Sequence, residues 1–187
     1  MDKKNLNFDK EDSYRNLDRV IGWVENCDSK TSIILSFFGI AITIILASDF
    51  TTRILNIIKF MLTANNFLSI LYLILMISSM VCVAVGIFFL IYVLLPKTNN
   101  KKYSESGIPS DSLIFFQTIA ENKSFHEYNK RLHECSEDDL KMDINAQVFI
   151  NCKVCKSKFD NYTIGLKFSV IGTVSFVILV IIGLSVK

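Results

Sequence analysis

Cys152 and Cys155 stand two residues apart, with His133 and Cys135 upstream, and together these four are the nearest approach in the sequence to a zinc ligand set. The same cysteines also fall on an apolar stripe, Ile144, Val148, Cys152, Cys155, Phe159 and Tyr162, spaced by fours and threes. There cysteine serves as a small buried hydrophobe, and the other two ligands would have to bend round from a separate helix. The helical reading is preferred, and no metal or cofactor is expected. The sequence has no Gly-rich phosphate loop and no Ser-His-Asp set, and His126 and His133 lack a catalytic context, so it does not read as an enzyme. More informative are Asp28, Lys30, Gln147 and Asn151, polar groups on helices otherwise committed to packing, where burial is costly without a partner. Each has a plain alternative: Asp28 and Lys30 can pair locally or snorkel, and Gln147 can face water. With Arg131, Lys153 and Lys158 they offer cations and amides to a small anionic ligand, and Trp23, Phe116 or Tyr128 offers an aromatic face. Trp23 reads first as a packing residue, and otherwise as an interfacial anchor or a stacking platform for a ligand.

The elements that must carry these residues are set by hydropathy. The chain has 187 residues, 51% of them hydrophobic, as in a small membrane protein. Three runs without a charge, Thr31 to Ser48, Phe67 to Leu95 and Phe168 to Val186, are each close to the roughly 20 helical residues that cross a bilayer core. The fold expected is an all-α membrane protein with three transmembrane helices and a cytoplasmic helical subdomain, the first and last spans extending into the cytoplasm. A polar stretch of 30 residues precedes the first run, which is too long for a signal peptide and predicts a retained signal anchor.

Lys and Arg number six in the first 30 residues, two in the 49 to 66 loop and eleven in 96 to 167. Basic residues stay on the cytoplasmic side, so the N-terminus and the 96 to 166 loop are expected on the cytoplasmic side of the membrane and the C-terminus outside. The two basic-rich segments hold 17 basic and 17 acidic residues, which leaves no excess charge for a nucleic-acid polymer. The five cysteines lie in these cytoplasmic segments or within a span, where a disulfide framework does not fit.

Along the chain, structure is expected from Ser13. A cytoplasmic helix over 13–30, with Leu17, Val20, Ile21, Val24, Cys27 and Asp28 on one face, leads into the first span, 31–48. An external interfacial helix follows over 53–64, with Ile54, Ile57, Ile58, Met61 and Leu62 toward the bilayer. The second span, 67–95, carries a small-residue face of Ser78, Cys82 and Gly86 where another helix can approach. A linker covers 96–111. A helix capped by Ser110 or Asp111 is predicted over Ser112 to Glu121, and a capping box at Ser124 and Glu127 opens another whose inner face is Phe125, Tyr128 and Leu132. Ser136 to Asp139 caps a last helix that runs on into the third span, 166–186, with Gly165 a place for a bend.

Leu17-Asp18-Arg19-Val20-Ile21-Gly22-Trp23 leading to Asp28-Ser29-Lys30, then Ser112-Leu113-Ile114-Phe115-Phe116, Glu127-Tyr128, Asp143, Gln147-Val148 and Lys158-Phe159 before the last span, resembles the transmembrane effectors of the pyrimidine cyclase anti-phage system, Pycsar. The resemblance makes 13–186 a single effector module, with 112–165 as its ligand-sensing part. It departs from the family pattern at Ser29-Lys30-Thr31-Ser32 and at Cys152 to Cys155.

It implies binding of a cyclic pyrimidine mononucleotide, cyclic UMP or cyclic CMP, made by a partner cyclase that need not touch the effector. Impaired inner-membrane integrity and abortive infection then follow. A homo-oligomer in contact with membrane lipid is expected, with the ligand bound among the N-terminal, 112 to 134 and final helices. In this reading Lys30, Arg131, Lys153 or Lys158 meets the phosphate, Asp28 or Gln147 reads the base or ribose, and Trp23, Ser112, Phe116 and Tyr128 complete the set. The rival is a constitutive membrane scaffold or transport accessory protein without a nucleotide ligand.

Overall fold

The computed structural model describes residues 9–47, 49–96, 108–109 and 111–186. The Ser48 end of the first span, the cap at Ser110, most of the linker and Lys187 fall outside the described residues. Among the described residues six helices follow in order: α1 Lys10–Ala47, α2 Phe50–Ala64, α3 Phe67–Leu94, α4 Phe116–Ala120, α5 Phe125–Glu134 and α6 Glu137–Val186. No strand occurs among the described residues, and α1, α3 and α6 are each long and apolar enough to cross a membrane. The chain is an all-α membrane protein built as two compact units. One comprises residues 1–26 and 96–157, the other 27–95 and 158–187, and α1 and α6 contribute to both.

Helix α1 begins at Lys10, three residues earlier than the expected start. Asp9 and Asp12 make a reciprocal cap there: the Asp12 N–H donates to Asp9 Oδ1 at 2.8 Å and the Asp9 N–H to Asp12 Oδ2 at 3.3 Å. Ser13, Val20, Cys27 and Thr31 form its buried line, while Ile21 is exposed. Buried hydroxyls are satisfied within the helix, as when Thr31 donates to the Cys27 carbonyl at 2.7 Å.

In the unit of 27–95 and 158–187, α2 occupies the expected place but not the expected role. Ile54, Ile57 and Met61 are buried in one cluster with Tyr72 and Met76 of α3 and Val180 of α6, and Leu62 is exposed. The stripe assigned to the lipid interface therefore packs on protein, which is available because Asn65 turns the chain back in the left-handed region (φ 41°) and Asn66 caps α3 by accepting from the Ser69 N–H at 2.8 Å.

The small-residue face of α3 is also spent inside the chain. A Cβ on Gly86 would lie 2.3 Å from Ser169 Oγ and 2.5 Å from the Ser169 N, and one on Gly165 would lie 2.9 Å from the Gly86 carbonyl oxygen. Gly165 thus permits the α3–α6 approach, and α6 runs on through it as one helix. Cys82 Sγ adds a 3.4 Å contact to the Phe168 carbonyl. Ser78 remains exposed.

In the unit of 1–26 and 96–157, the helix expected from Ser112 to Glu121 shrinks to α4. The backbone N–H groups ahead of it are already taken: Ser112 Oγ accepts from Ile114 and Phe115 at 3.3 and 3.1 Å, and Asp143 Oδ2 accepts from Leu113 at 2.8 Å. These side-chain partners hold 111–115 as a turn. The Ser124 cap forms, accepting from the Glu127 N–H at 3.2 Å, but α5 has no buried residue, and Phe125 and Leu132 are exposed. Only Tyr128 of its proposed inner face is half-buried, donating to the Leu113 carbonyl at 3.3 Å. Helix α6 opens at the expected Ser136 and Asp139 cap, where the Asp139 N–H donates to Ser136 Oγ at 3.1 Å. Its 50 residues correspond to a length of about 75 Å.

Candidate functional site

A cavity of about 540 Å³ lies in the unit of 1–26 and 96–157, among residues 108–109 and 111–113, the end of α5 and the start of α6. This is within the roughly 300–1,000 Å³ range of small-molecule sites. Its polar wall is Asp111, Ser112, Arg131, Glu134, Asp139 and Asp143. Asp143 is only 5% exposed; Oδ2 accepts from Leu113, while Oδ1 is buried without a partner among the described residues. Ser112 is buried, and its oxygen already accepts from two N–H groups, so its own hydrogen is left to donate.

Arg131 is the cation of this wall. It donates to the Asp111 carbonyl, to Asp111 Oδ2 at 3.1 Å and to Asn122 Oδ1 at 3.1 Å. The Asp111 side chain is mostly in water, so this ion pair is worth about 0–1 kcal/mol and can be exchanged cheaply. Hydrogen bonds from the Ser136 hydroxyl and backbone N–H hold the Asp139 carboxyl below the usual carboxylate range.

The other proposed site residues are dispersed. Trp23 is 51% exposed and Phe116 is exposed with its ring 4.9 Å from that of Phe115. Gln147 is buried, and its backbone carbonyl accepts from the Asn151 amide at 2.8 Å. Lys153 lies 4.5 Å over the Phe149 ring of its own helix. Of the expected α6 stripe Ile144 and Cys155 are buried, Val148, Phe159 and Tyr162 are half-buried and Cys152 is exposed, and the buried face extends instead to Asp143, Gln147, Ile150, Val154 and Lys158.

Two more proposed residues meet in the unit of 27–95 and 158–187. Lys158, 5% exposed, donates to Asp28 Oδ1 at 2.6 Å and to the Val93 carbonyl at 2.8 Å, in the last turn of α3. Its charge is thereby committed to joining α1, α3 and α6, and Lys30 nearby in sequence is exposed. Ser112 and Arg131 are thus the proposed residues that share the cavity, with Tyr128 tied to its Leu113 wall. Asp143, absent from the proposed set, also lines the cavity, and its position one helical turn before Gln147 was visible in the sequence.

Helices fit to span a bilayer and a helical unit that carries a polar-walled cavity define a membrane protein with a site outside its apolar segments. Residues 12–185 match the Pycsar effector protein domain. A relative, the Pycsar effector protein GmPycTM of Gulbenkiania mobilis, is 32% identical over 178 residues, covering 91% of this chain and 90% of the relative. The chain belongs to the Pycsar effector family of transmembrane proteins, whose role is anti-phage defence. This is not a known enzyme class. No solved structure matches the chain.

Proposed function

We propose that this chain binds cyclic UMP or cyclic CMP in the 108–143 cavity and then disrupts inner-membrane integrity, causing abortive infection. The observation that carries the reading is the family match, which runs through every helix. The nucleotide comes from a partner cyclase that need not touch the effector.

The cavity suits a mononucleotide by size and by its mixture of one exchangeable arginine and buried hydrogen-bonding groups. Arg131 gives up Asp111 for the phosphate, trading a surface pair for a charge-assisted pair with the ligand. Ser112 and Asp143 face the rest of the ligand. The charge asymmetry of the loops supports a cytoplasmic N-terminus and sensing unit, with the C-terminus outside.

Helices α1 and α6 offer a route for the response because each passes from the sensing unit into a span. Ligand binding shifts the spans only by its differential affinity for two arrangements, and coupling of about 1–3 kcal/mol gives roughly 5- to 150-fold. Subunits of a homo-oligomer then rearrange in the lipid.

Titrating the full chain in nanodiscs with each nucleotide tests the reading. Saturable binding of one of them, with ligand-dependent dye release from liposomes carrying the protein, is expected. Absence of binding by both removes the nucleotide and leaves a membrane protein of another role.

A further inference from the structure

We infer that the ion pair of Lys158 and Asp28 is the catch that holds α1 to α3 and α6 while no ligand is bound, and that opening it frees α1 in the bilayer and starts the loss of membrane integrity. The inference rests on the proposed membrane disruption and adds the contact that restrains it.

Helices α1 and α6 belong to both units, and the division falls between residues 26 and 27 on α1 and between 157 and 158 on α6. Asp28 and Lys158 are therefore the second and the first residue that these helices contribute to the unit of 27–95 and 158–187. There Lys158 Nζ donates to Asp28 Oδ1 at 2.6 Å and to the Val93 carbonyl at 2.8 Å, so one ammonium joins α1, α6 and the last turn of α3. A displacement of α1 away from α6 at this level parts the pair. Lys158 is 5% exposed, and without its carboxylate it is left as an uncompensated buried charge.

The rest of the α1 span is held loosely. Its buried residues in this unit are Cys27 and Thr31, both within one turn of Asp28, and none from 32 to 47 is buried. Ile33, Phe37, Ile40, Ile44 and Leu46 are 62–69% exposed. Lipid tails cover such side chains as well as protein does, so little opposes movement of this span once its end is free. Helices α3 and α6 are fastened to each other along their length: Gly86 lies against Ser169, Gly172 against Val83, and the Tyr72 hydroxyl donates to the Leu179 carbonyl at 2.7 Å. The moving span is thus α1, and a shift carried along either α1 or α6 from the sensing unit meets the pair before it meets the rest of the span.

Dye-filled liposomes of phosphatidylethanolamine and phosphatidylglycerol carrying the full chain test this with no nucleotide added. The wild type should hold its dye. Asp28→Asn and Lys158→Met should each release it about tenfold faster or more, since losing such a pair shifts an equilibrium by at least that factor. Asp28→Glu, which keeps the carboxylate, should stay tight, as should Ile57→Ala, which weakens the α2–α3–α6 cluster and leaves the pair alone. A leaking wild type, dye retention by both Asp28→Asn and Lys158→Met, or release by Asp28→Glu or Ile57→Ala as fast as by Asp28→Asn overturns the inference. Should Asp28→Asn lose its helical circular dichroism, Lys158→Met decides. A wild type that stays tight when cyclic UMP and cyclic CMP are added overturns the nucleotide reading instead, and the ligand-free variants still decide on the catch.

Discussion

Removing either partner of the Lys158 and Asp28 pair should destabilise the protein, and by unequal amounts. Lys158 Nζ is held by Asp28 Oδ1 at 2.6 Å and the Val93 carbonyl at 2.8 Å, and its side chain is 6% exposed against 37% for Asp28. In Asp28→Asn the ammonium stays buried with its charge uncompensated, a loss of about 3–5 kcal/mol. In Lys158→Met the stem is replaced by a side chain of similar bulk, the half-exposed carboxylate turns to water, and the remaining penalty is mainly the unmet Val93 carbonyl, about 1–3 kcal/mol. The double variant removes both charges and should cost less than the sum of the singles, by about 0.5–3 kcal/mol of coupling. For a chain of this size each kcal/mol moves the melting midpoint by about 2–4 °C, so Asp28→Asn should melt about 10 °C below wild type. Thermal melts in one detergent, followed by circular dichroism, measure all four proteins. Additive singles, or a Lys158→Met loss larger than that of Asp28→Asn, would refute the assignment of Lys158 as the buried charge that Asp28 compensates.

Gly86→Ala should destabilise the α3–α6 crossing by about 1–3 kcal/mol, since its Cβ would press on Ser169 backbone; Gly39→Ala, with nothing within 4 Å, should raise helix stability by roughly 0.5–1 kcal/mol, and the same melts compare them. Ile57→Ala, at a fully buried position in the α2–α3–α6 cluster, should cost about 2–5 kcal/mol, whereas the lipid-facing alternative for α2 predicts almost no loss. The lowered pKa of Asp139 means that its capping of α6 is complete above the ordinary carboxylate range and is lost as the pH falls through the depressed value. Amide exchange in the first turn of α6 should therefore quicken below roughly pH 4, and Asp139→Asn should quicken it at neutral pH.

The three spans and the caps at Ser124 and Ser136 were legible because each rests on local chemistry, either an uninterrupted apolar run or a polar side chain three residues from the N–H it accepts. The opening cap was equally local, but the aspartate pair at Asp9 and Asp12 was passed over for Ser13. What failed depends on partners distant in sequence. Helix α2 has a good amphipathic face, and nothing local says whether lipid or α3 covers it. The small residues of α3 invite another helix without saying that α6 of the same chain supplies it. Residues 111–115 have helix-compatible types, but Asp143, thirty positions away, takes the Leu113 N–H that a longer helix would need.

Asp143 and Lys158 show why residue type alone did not sort the candidate site. Both are ionisable residues on the buried line of α6, and both carried the same cost of burial in the sequence. Lys158 meets a carboxylate and a helix-terminal carbonyl, so the fold itself offsets its desolvation, and a ligand anion would have to displace both. Asp143, a residue that lines the cavity, meets a single N–H and keeps its other oxygen buried and unmatched, so the fold leaves part of its cost standing. A buried charge already satisfied is a structural tie. Ser112, Arg131 and Asp143 thus line the cavity proposed as the site, and Lys158 with Asp28 belongs to the framework through which α1, α3 and α6 are joined.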